Sequence, residues 1–254
     1  MAAGPFARAQ GVDIQPTSVE IPAETGARYR QVLEVSNPSE TQPRSLTLGL
    51  ADWTLARDGQ LVLSPPGEAE RSAAGWARFT PGFVSLEPGA SAQIIVDMIV
   101  PAKPAHAGDY RFALLASEVY PDETGRMQKI ETASLFYLTV APAVSDPVIE
   151  DVTTRRSGTG PPRLEVALSN SGNAHARLEG DVRIEAGGQT VETVSVSNLV
   201  VLGASERQFT IPLQATPPDK ARISIVLDNL FAPQSASGEA PLRTWSGPLQ
   251  PAGG

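Results

Sequence analysis

The stretch QVLEVSNPSE, Gln31–Glu40, alternates apolar and polar residues and then stops at an Asn-Pro pair. A period of two is typical of a β-strand with one buried face, and Asn-Pro favours a turn. A near copy, LEVALSNSGN, occupies Leu164–Asn173. We interpret each copy as the second strand of its own β-sandwich, followed by the turn that leaves the strand. The repetition therefore predicts two related sandwiches in one chain.

The composition is that of a globular protein with an acidic surface. Of the 254 residues 41% are hydrophobic, the formal net charge is −8 and the pI is about 4.9. Such a charge argues against binding to nucleic acid or to anionic lipid, both of which need a basic surface. The chain has no cysteine, which excludes disulfides and a thiolate nucleophile. No apolar run is long enough for a transmembrane helix.

Short strands separated by turns fill residues 12–142, which we interpret as the first sandwich. The predicted strands are Val12–Ile21, Arg28–Ser36, Ser45–Trp53, Leu61–Leu63, Trp76–Leu86, Ala92–Val100, Asp109–Tyr120 and Met127–Val140. Seven or more short strands at this spacing are typical of an antiparallel sandwich.

A second, smaller series of about six strands follows at residues 148–231, after a Pro-containing linker at 143–147. Leu202–Ala204 stands where the turn Glu87–Ala90 stands in the first series. The predicted fold class is therefore all-β, with two tandem immunoglobulin-like β-sandwich domains.

Neither end of the chain is predicted to form part of a sandwich. Residues 1–11 contain Ala7-Arg8-Ala9, a small-x-small pattern, and we expect a signal-peptide remnant or a disordered start. Residues 232–254 are rich in Pro, Gly, Ser and Ala without a period, and we expect a flexible tail.

The residues give no reason to expect an enzyme. His106 and His175 fall in different predicted sandwiches, and neither has a second ligand at metal-binding spacing. Nucleophile-elbow, phosphate-loop and EF-hand motifs are missing from the sequence. We therefore predict no catalytic residues, no metal and no cofactor. A β-sandwich of this kind offers loops and strand edges for binding instead.

Several phrases of the first series together resemble the PapD-like periplasmic chaperones of pilus assembly. The resemblance covers Val12 to about Pro142, whereas Pro147–Leu230 resembles only a generic immunoglobulin-like domain. The phrases are VLEVSNPSE (32–40), VSLEPGASAQIIV (84–96), AGDYRFALLASEVYP (107–121) and ASLFYLTVAP (133–142).

The resemblance implies a way of binding a partner. Chaperones of that family lend the last strand of the first domain to an incomplete pilin subunit, and two basic residues in the cleft between the domains hold the terminal carboxylate of the subunit. The lending strand here is Met127–Tyr137. The partner-binding residues predicted on this basis are Ser18, Arg28, Arg30, Met127, Ile130, Thr132, Ser134 and Phe136.

The sequence departs from the family at the two basic positions. One is Ser134 here, and the other maps to Thr17 or Ser18, none of which binds a carboxylate by charge. Arg28 and Arg30 are the nearby basic residues, although arginines on a strand face are ordinarily solvated.

Two functions from different classes follow. The first is a periplasmic, chaperone-like assembly factor that binds pilin-like or other surface protein subunits through an edge strand and the inter-domain cleft. The alternative is a structural or adhesive cell-surface module, in which tandem sandwiches act as a spacer and the loops or the tail bind a neighbour. Both imply an exported protein, periplasmic or secreted to the cell surface, with protein partners and without nucleic acid.

Overall fold

The computed structural model describes residues 11–121, 124–155, 162–214, 216–217, 221–231, 243–248 and 250–251. Contacts divide the chain into two compact units. Of the described residues, the first unit comprises those in 11–53, 63–106 and 110–140, and the second comprises those in 54–62, 107–109 and 141–251. Each unit consists of two β-sheets. The prediction of an all-β chain with two immunoglobulin-like sandwiches is confirmed.

The described residues form strands and a single helical turn at Ala74–Trp76. The strands are β1 Asp13–Gln15, β2 Ser18–Ala23, β3 Arg28–Ser36, β4 Arg44–Leu55, β5 Leu61–Ser64, β6 Ala77–Thr80, β7 Phe83–Leu86, β8 Ser91–Ile99, β9 Gly108–Pro121, β10 Met127–Val140, β11 Pro147–Arg155, β12 Arg163–Asn170, β13 Ala176–Ala186, β14 Gln189–Val201, β15 Ser205–Pro212, β16 Arg222–Asn229, β17 Arg243–Pro248 and β18 Gln250–Pro251.

The first unit encloses one hydrophobic core between its two sheets. The strand orders are β1-β3-β8-β6 and β2-β10-β9-β4-β5, with β7 also paired to β4. In β3, the strand of the repeated phrase, Leu33 and Val35 are fully buried whereas Glu34 is exposed, as the alternation predicts. The rings of Phe112 and Phe136 stack at the centre, with their centroids 4.4 Å apart.

Two strands that the sequence presents as single are each divided by a proline. The predicted strand Val12–Ile21 becomes β1, which pairs antiparallel with β3, and β2, which pairs parallel with β10 in the other sheet. Pro16 lies between them and has no N–H to donate to a ladder. In the same way Pro81 separates β6, which pairs with β8, from β7, which pairs with β4. Alternation predicts the strands but not the sheet that each half joins.

The first copy of the Ser-Asn phrase ends in a buried asparagine that joins two turns. Asn37 is 1% exposed, and its Nδ2 donates to the carbonyl oxygens of Gln42 at 2.8 Å and of Leu86 and Glu87 at 3.2 Å. Its Oδ1 accepts the N–H of Ser39 at 3.0 Å. This amide fastens the turn after β3 to the turn before β8.

The second copy uses its asparagine in the same way. Asn170 is 1% exposed, and its Nδ2 donates to the carbonyl oxygens of Ala174 at 2.8 Å and Val201 at 3.1 Å. Its Oδ1 accepts the N–H groups of Asp146 and Gly172 at 2.9 and 3.1 Å. In both units the repeated phrase thus ends in a buried asparagine whose side chain binds the backbone of neighbouring turns.

We expect Asn37→Ala to lower the free energy of unfolding of the first unit by about 2 kcal/mol, because it leaves buried carbonyl groups without their donor. Urea denaturation followed by tryptophan fluorescence measures this loss. Gln42→Ala is the control, because the hydrogen bonds of Gln42 in this turn are made by its backbone, and a change within about 0.5 kcal/mol is expected for such a surface substitution. Equal stabilities of the two variants would contradict the role of the amide.

The second unit has more strands than the sequence indicates. Its sheets have the orders β15-β12-β11-β18 and β14-β13-β16-β17, and one core lies between them. The two additional strands come from the predicted tail: residues 243–248 pair antiparallel with β16, and residues 250–251 pair parallel with β11. The interpretation as a flexible tail does not hold for these two stretches, because a main-chain ladder forms without alternation of apolar side chains. The rest of that tail and the start at residues 1–10 lie outside the described residues.

Within the described ranges, no helix has the length and apolar character needed to cross a membrane.

Candidate partner-binding site

The first half of β10 lies at an edge of its sheet. β10 has β9 on one side and β2 on the other, but the pairing with β2 begins only at Leu135 and runs to Val140. In the part of the chain that the structure describes, no strand pairs with residues 129–134 on the β2 side. We name residues 129–134 the open half of β10.

The backbone of the open half presents hydrogen-bonding groups to this edge. The N–H of Leu135 donates to the carbonyl oxygen of Thr17 at 2.9 Å, which fixes the side to which its backbone points. Every second residue of a strand directs its N–H and C=O to the same side. The backbone groups of Lys129, Glu131 and Ala133 therefore point to the open edge, where a further strand would pair.

The side chains of Ile130 and Thr132 lie on the core side of the sheet. Both are half-buried and share the parity of the core residue Phe136. Thr132 Oγ1 donates to the carbonyl oxygen of Val12 at 3.0 Å, and a Cβ added to Gly11 would lie 3.6 Å from Ile130 Cγ2. The chain leading into β1 thus packs beside the open half by side-chain contacts, without a main-chain ladder.

On the outer side of the sheet, Lys129 and Glu131 form an ion pair across the open half. Lys129 Nζ lies 2.7 Å from Glu131 Oε1, and Ser117 Oγ donates to the same oxygen at 2.8 Å. The hydrogen bond from Lys129 is the main cause that holds the pKa of Glu131 below its ordinary value, and the bond from Ser117 adds to it. This pair fixes the two outward side chains of the edge.

Lys129→Ala is expected to raise the pKa of Glu131 towards its ordinary value, because it removes the largest stabilisation of the carboxylate. Carboxyl NMR titration of the variant measures the shift. Ser117→Ala is the matched control and should raise the same pKa by less, since the bond from Ser117 contributes less. An unchanged pKa in Lys129→Ala would show that the ion pair does not form in solution.

The two serines at the expected basic positions lie near the point where the chain passes from β1 to β2. Ser134 is fully buried, and its Oγ donates to the carbonyl oxygen of Pro16 at 2.7 Å. Ser18 is half-buried at the start of β2, opposite Leu135. The hydroxyl of Ser134 is buried and already donates its proton to a carbonyl oxygen, so it has no further proton to donate to a carboxylate.

The structure separates the remaining predicted residues from one another. Met127 begins β10 and is 65% exposed, whereas Phe136 is fully buried in the core and does not reach the edge. Arg28 and Arg30 lie exposed on β3, in the opposite sheet. Arg30 is bound by Asp97, with Nε–Oδ1 at 2.7 Å and Nη2–Oδ2 at 2.9 Å, and this pairing holds the pKa of Asp97 below its ordinary value. The two arginines are thus not brought together with the open half.

Sequence reasoning missed two buried polar pairs. In the first unit Arg44 Nη1 lies 3.0 and 3.1 Å from the two carboxylate oxygens of Glu118, and both side chains are about nine-tenths buried. In the second unit the fully buried His175 contacts Asp109, with Nδ1–Oδ2 at 2.8 Å. The partners are 74 and 66 residues apart, so no local spacing indicates either pair.

Comparison with known proteins gives a likeness of fold. No protein-family model and no curated protein matches the chain. The chain is similar to the class 5 fimbriae chaperone CfaA, with 14% identity, 95% of this chain and 100% of that chain covered, and a TM-score of 0.46. It is similar to the Pseudomonas aeruginosa CupB2 chaperone (15% identity, 92% and 98% covered, TM-score 0.44). It is also similar to the CsuC–CsuE chaperone–tip adhesion subunit pre-assembly complex of Acinetobacter baumannii (15% identity, 93% and 98% covered, TM-score 0.45).

Proposed function

We propose that this protein is a non-enzymatic, chaperone-like assembly factor, exported to the periplasm or cell surface, that binds protein subunits along the open half of β10. The observation that carries the proposal is the strand edge at residues 129–134. This edge is open because β1 pairs with β3 in the other sheet and β2 pairs with β10 only from Leu135 onwards. Four sequence phrases that resemble the pilus chaperones support it. This is the class of role that the names of the similar solved proteins state for those proteins.

Main-chain pairing supplies the affinity in this proposal. A strand of the partner adds to the sheet and exchanges hydrogen bonds with the backbone of Lys129, Glu131 and Ala133. The side chains that meet it on the core side are Ile130 and Thr132, one apolar and one small and polar. We infer that the partner strand places its largest apolar side chain next to Ile130, where the buried apolar contact is greatest.

In this proposal neither Ser18 nor Ser134 binds the terminal carboxylate of the partner. Ser134 is buried and donates to Pro16, and Ser18 is held in the β2 ladder. The partner is therefore selected by its strand pattern rather than by a charged chain end.

The alternative of a structural surface module rested partly on a flexible tail. Residues 243–248 of that tail form a strand of the second unit, so deleting the whole tail would remove a sheet strand and would not test the tail alone. The tail therefore gives the surface module less support than the sequence suggested, whereas the open half of β10 favours the assembly factor.

A photo-crosslinking residue at Ile130 tests the proposal. The full chain is co-expressed in the periplasm with a pilin-like subunit, irradiated, and examined for a crosslinked complex. The same residue at Val32, which is 43% exposed on the opposite sheet, is the matched control. Crosslinking from position 130 and not from position 32 is expected. Equal crosslinking from both positions, or from neither, would refute binding at this edge.

A further inference from the structure

The outward side of the open half of β10 carries two opposite charges two residues apart. Lys129 Nζ lies 2.7 Å from Glu131 Oε1, and the two side chains are 57% and 28% exposed. Ala133 completes the outward row and has no charge. Residues two positions apart in a strand are about 7 Å apart, so the row presents a positive and a negative point in a fixed order along the edge.

Both charges are held in place before a partner binds. Ser117 Oγ, on the neighbouring strand β9, donates to Glu131 Oε1 at 2.8 Å, so the carboxylate is held from two sides. The bond from Lys129 keeps the pKa of Glu131 below its ordinary value, and the carboxylate is therefore charged at neutral pH. Groups that are already ordered lose little conformational entropy when a partner binds to them.

Each member of the ion pair retains hydrogen-bonding capacity for a partner. An ammonium group has three N–H donors, and a carboxylate accepts through both of its oxygens. Among the described residues, the bonds that the structure shows to Glu131, from Lys129 and from Ser117, both reach Oε1. Oε2 of Glu131 and further N–H groups of Lys129 can therefore face an added strand.

The inward side of the open half discriminates less between partner strands. Its one large apolar side chain is Ile130, and the hydroxyl of Thr132 already donates to the carbonyl oxygen of Val12. An apolar contact does not strongly reject residues of nearly the same shape. Like charges placed opposite one another do reject a wrong partner. The outward charges are thus the part of the edge that is best able to select.

We propose that Lys129 and Glu131 select a partner strand with one acidic and one basic side chain two residues apart on its outward side, and that they set its register. This rests on the proposed function, because the selected strand is the one that pairs with the open half. Opposite charges directly across a strand pair are favourable and like charges are unfavourable.

A mixed pair of charges can match both charges of the edge. Two like charges match one and oppose the other, whichever direction the partner strand runs. A slip of the matched strand by two residues brings like charges opposite each other, either at Lys129 or at Glu131. The alternation of sign along the edge therefore specifies both the partner's charge pattern and its register.

Capped peptides of seven residues test the selection on the full chain. TVKVEVT and TVEVKVT carry the mixed pair in its two orders, and TVKVKVT and TVEVEVT carry like charges beside the same valines. NMR titration of amides 129, 131 and 133 measures each Kd at the edge itself, in about 0.15 M salt, which screens charges more than about 8 Å away. The better mixed peptide should bind about two- to thirtyfold more tightly than either like-charged peptide.

The variant Lys129→Gln with Glu131→Gln keeps the backbone of the edge and removes both charges, so it should bind all four peptides alike. Arg30→Gln with Asp97→Gln is the matched control, because it removes an exposed ion pair of the opposite sheet, and it should keep the wild-type preference. Equal binding of the four peptides to the wild type, or an unchanged preference without the edge charges, overturns the charge selection and leaves the proposed function standing. If no peptide shifts the amides of residues 129–133, both are overturned.

Discussion

Proline at both Glu131 and Ala133 is expected to prevent β10 from capturing a partner strand while the first unit stays folded. The N–H groups of these residues face the open edge, so proline removes two donors that only the partner uses. The N–H groups of Ile130 and Thr132 point towards β9, and proline there would break the sheet itself. The direction of the backbone therefore decides which positions test partner binding.

The loss of two main-chain hydrogen bonds is worth about 2–3 kcal/mol, or a rise of about 30- to 150-fold in the Kd for the partner subunit. Calorimetric titration of the purified subunit measures it. The variant with threonine at both positions is the matched control, because it changes the same side chains and keeps both donors, and its Kd should stay within a few-fold of wild type. If the proline variant binds as tightly as the threonine variant, the partner does not pair with this edge.

Glu118→Ala is expected to lower the free energy of unfolding of the first unit by about 3 kcal/mol, because it leaves the guanidinium of Arg44 buried without its carboxylate. Chemical denaturation of the variant measures the loss. The double variant Arg44→Met with Glu118→Leu should recover most of it, since replacing both partners of a buried pair by apolar residues is often neutral.

The exposed ion pair of Arg30 and Asp97 provides the control for this prediction. Asp97→Ala removes one partner of a pair that solvent surrounds, and stability should hardly change. A similar loss for Asp97→Ala and Glu118→Ala would mean that burial does not distinguish the two pairs. No recovery in the double variant would mean that the site requires the charges themselves.

Most of the fold could be predicted from the sequence, because the alternation of buried and exposed positions is local. The repeated Ser-Asn phrase predicted two related units, and Asn37 and Asn170 do occupy matching places in them. Division of the first strand at Pro16 could not be predicted, since the two halves are fixed by the sheets they join. Pairing of residues 243–248 with β16 also escaped prediction, because it depends on main-chain hydrogen bonds and not on side-chain pattern.

Less of the candidate site could be predicted, for a related reason. The strand Met127–Val140 was predicted with its observed bounds, but its open half exists only because β2 begins opposite Leu135. The position of that boundary follows from the point near Pro16 where the chain passes from one sheet to the other. Ser134 binds the carbonyl oxygen of Pro16 at this point, and the two residues are more than a hundred positions apart in the sequence. For the same reason Arg28 is near Ser18 in sequence and yet lies in the other sheet.

Hydrogen exchange of individual amides, measured by NMR in the free protein and in its complex with a partner subunit, tests the central claim most directly. The amides of Lys129, Glu131 and Ala133 should exchange fast in the free protein, because they face an open edge, and should become strongly protected in the complex. Those of Ile130 and Thr132 should be protected in both states, because they face β9. If the three edge amides exchange equally fast with and without the bound subunit, the partner does not add a strand to β10.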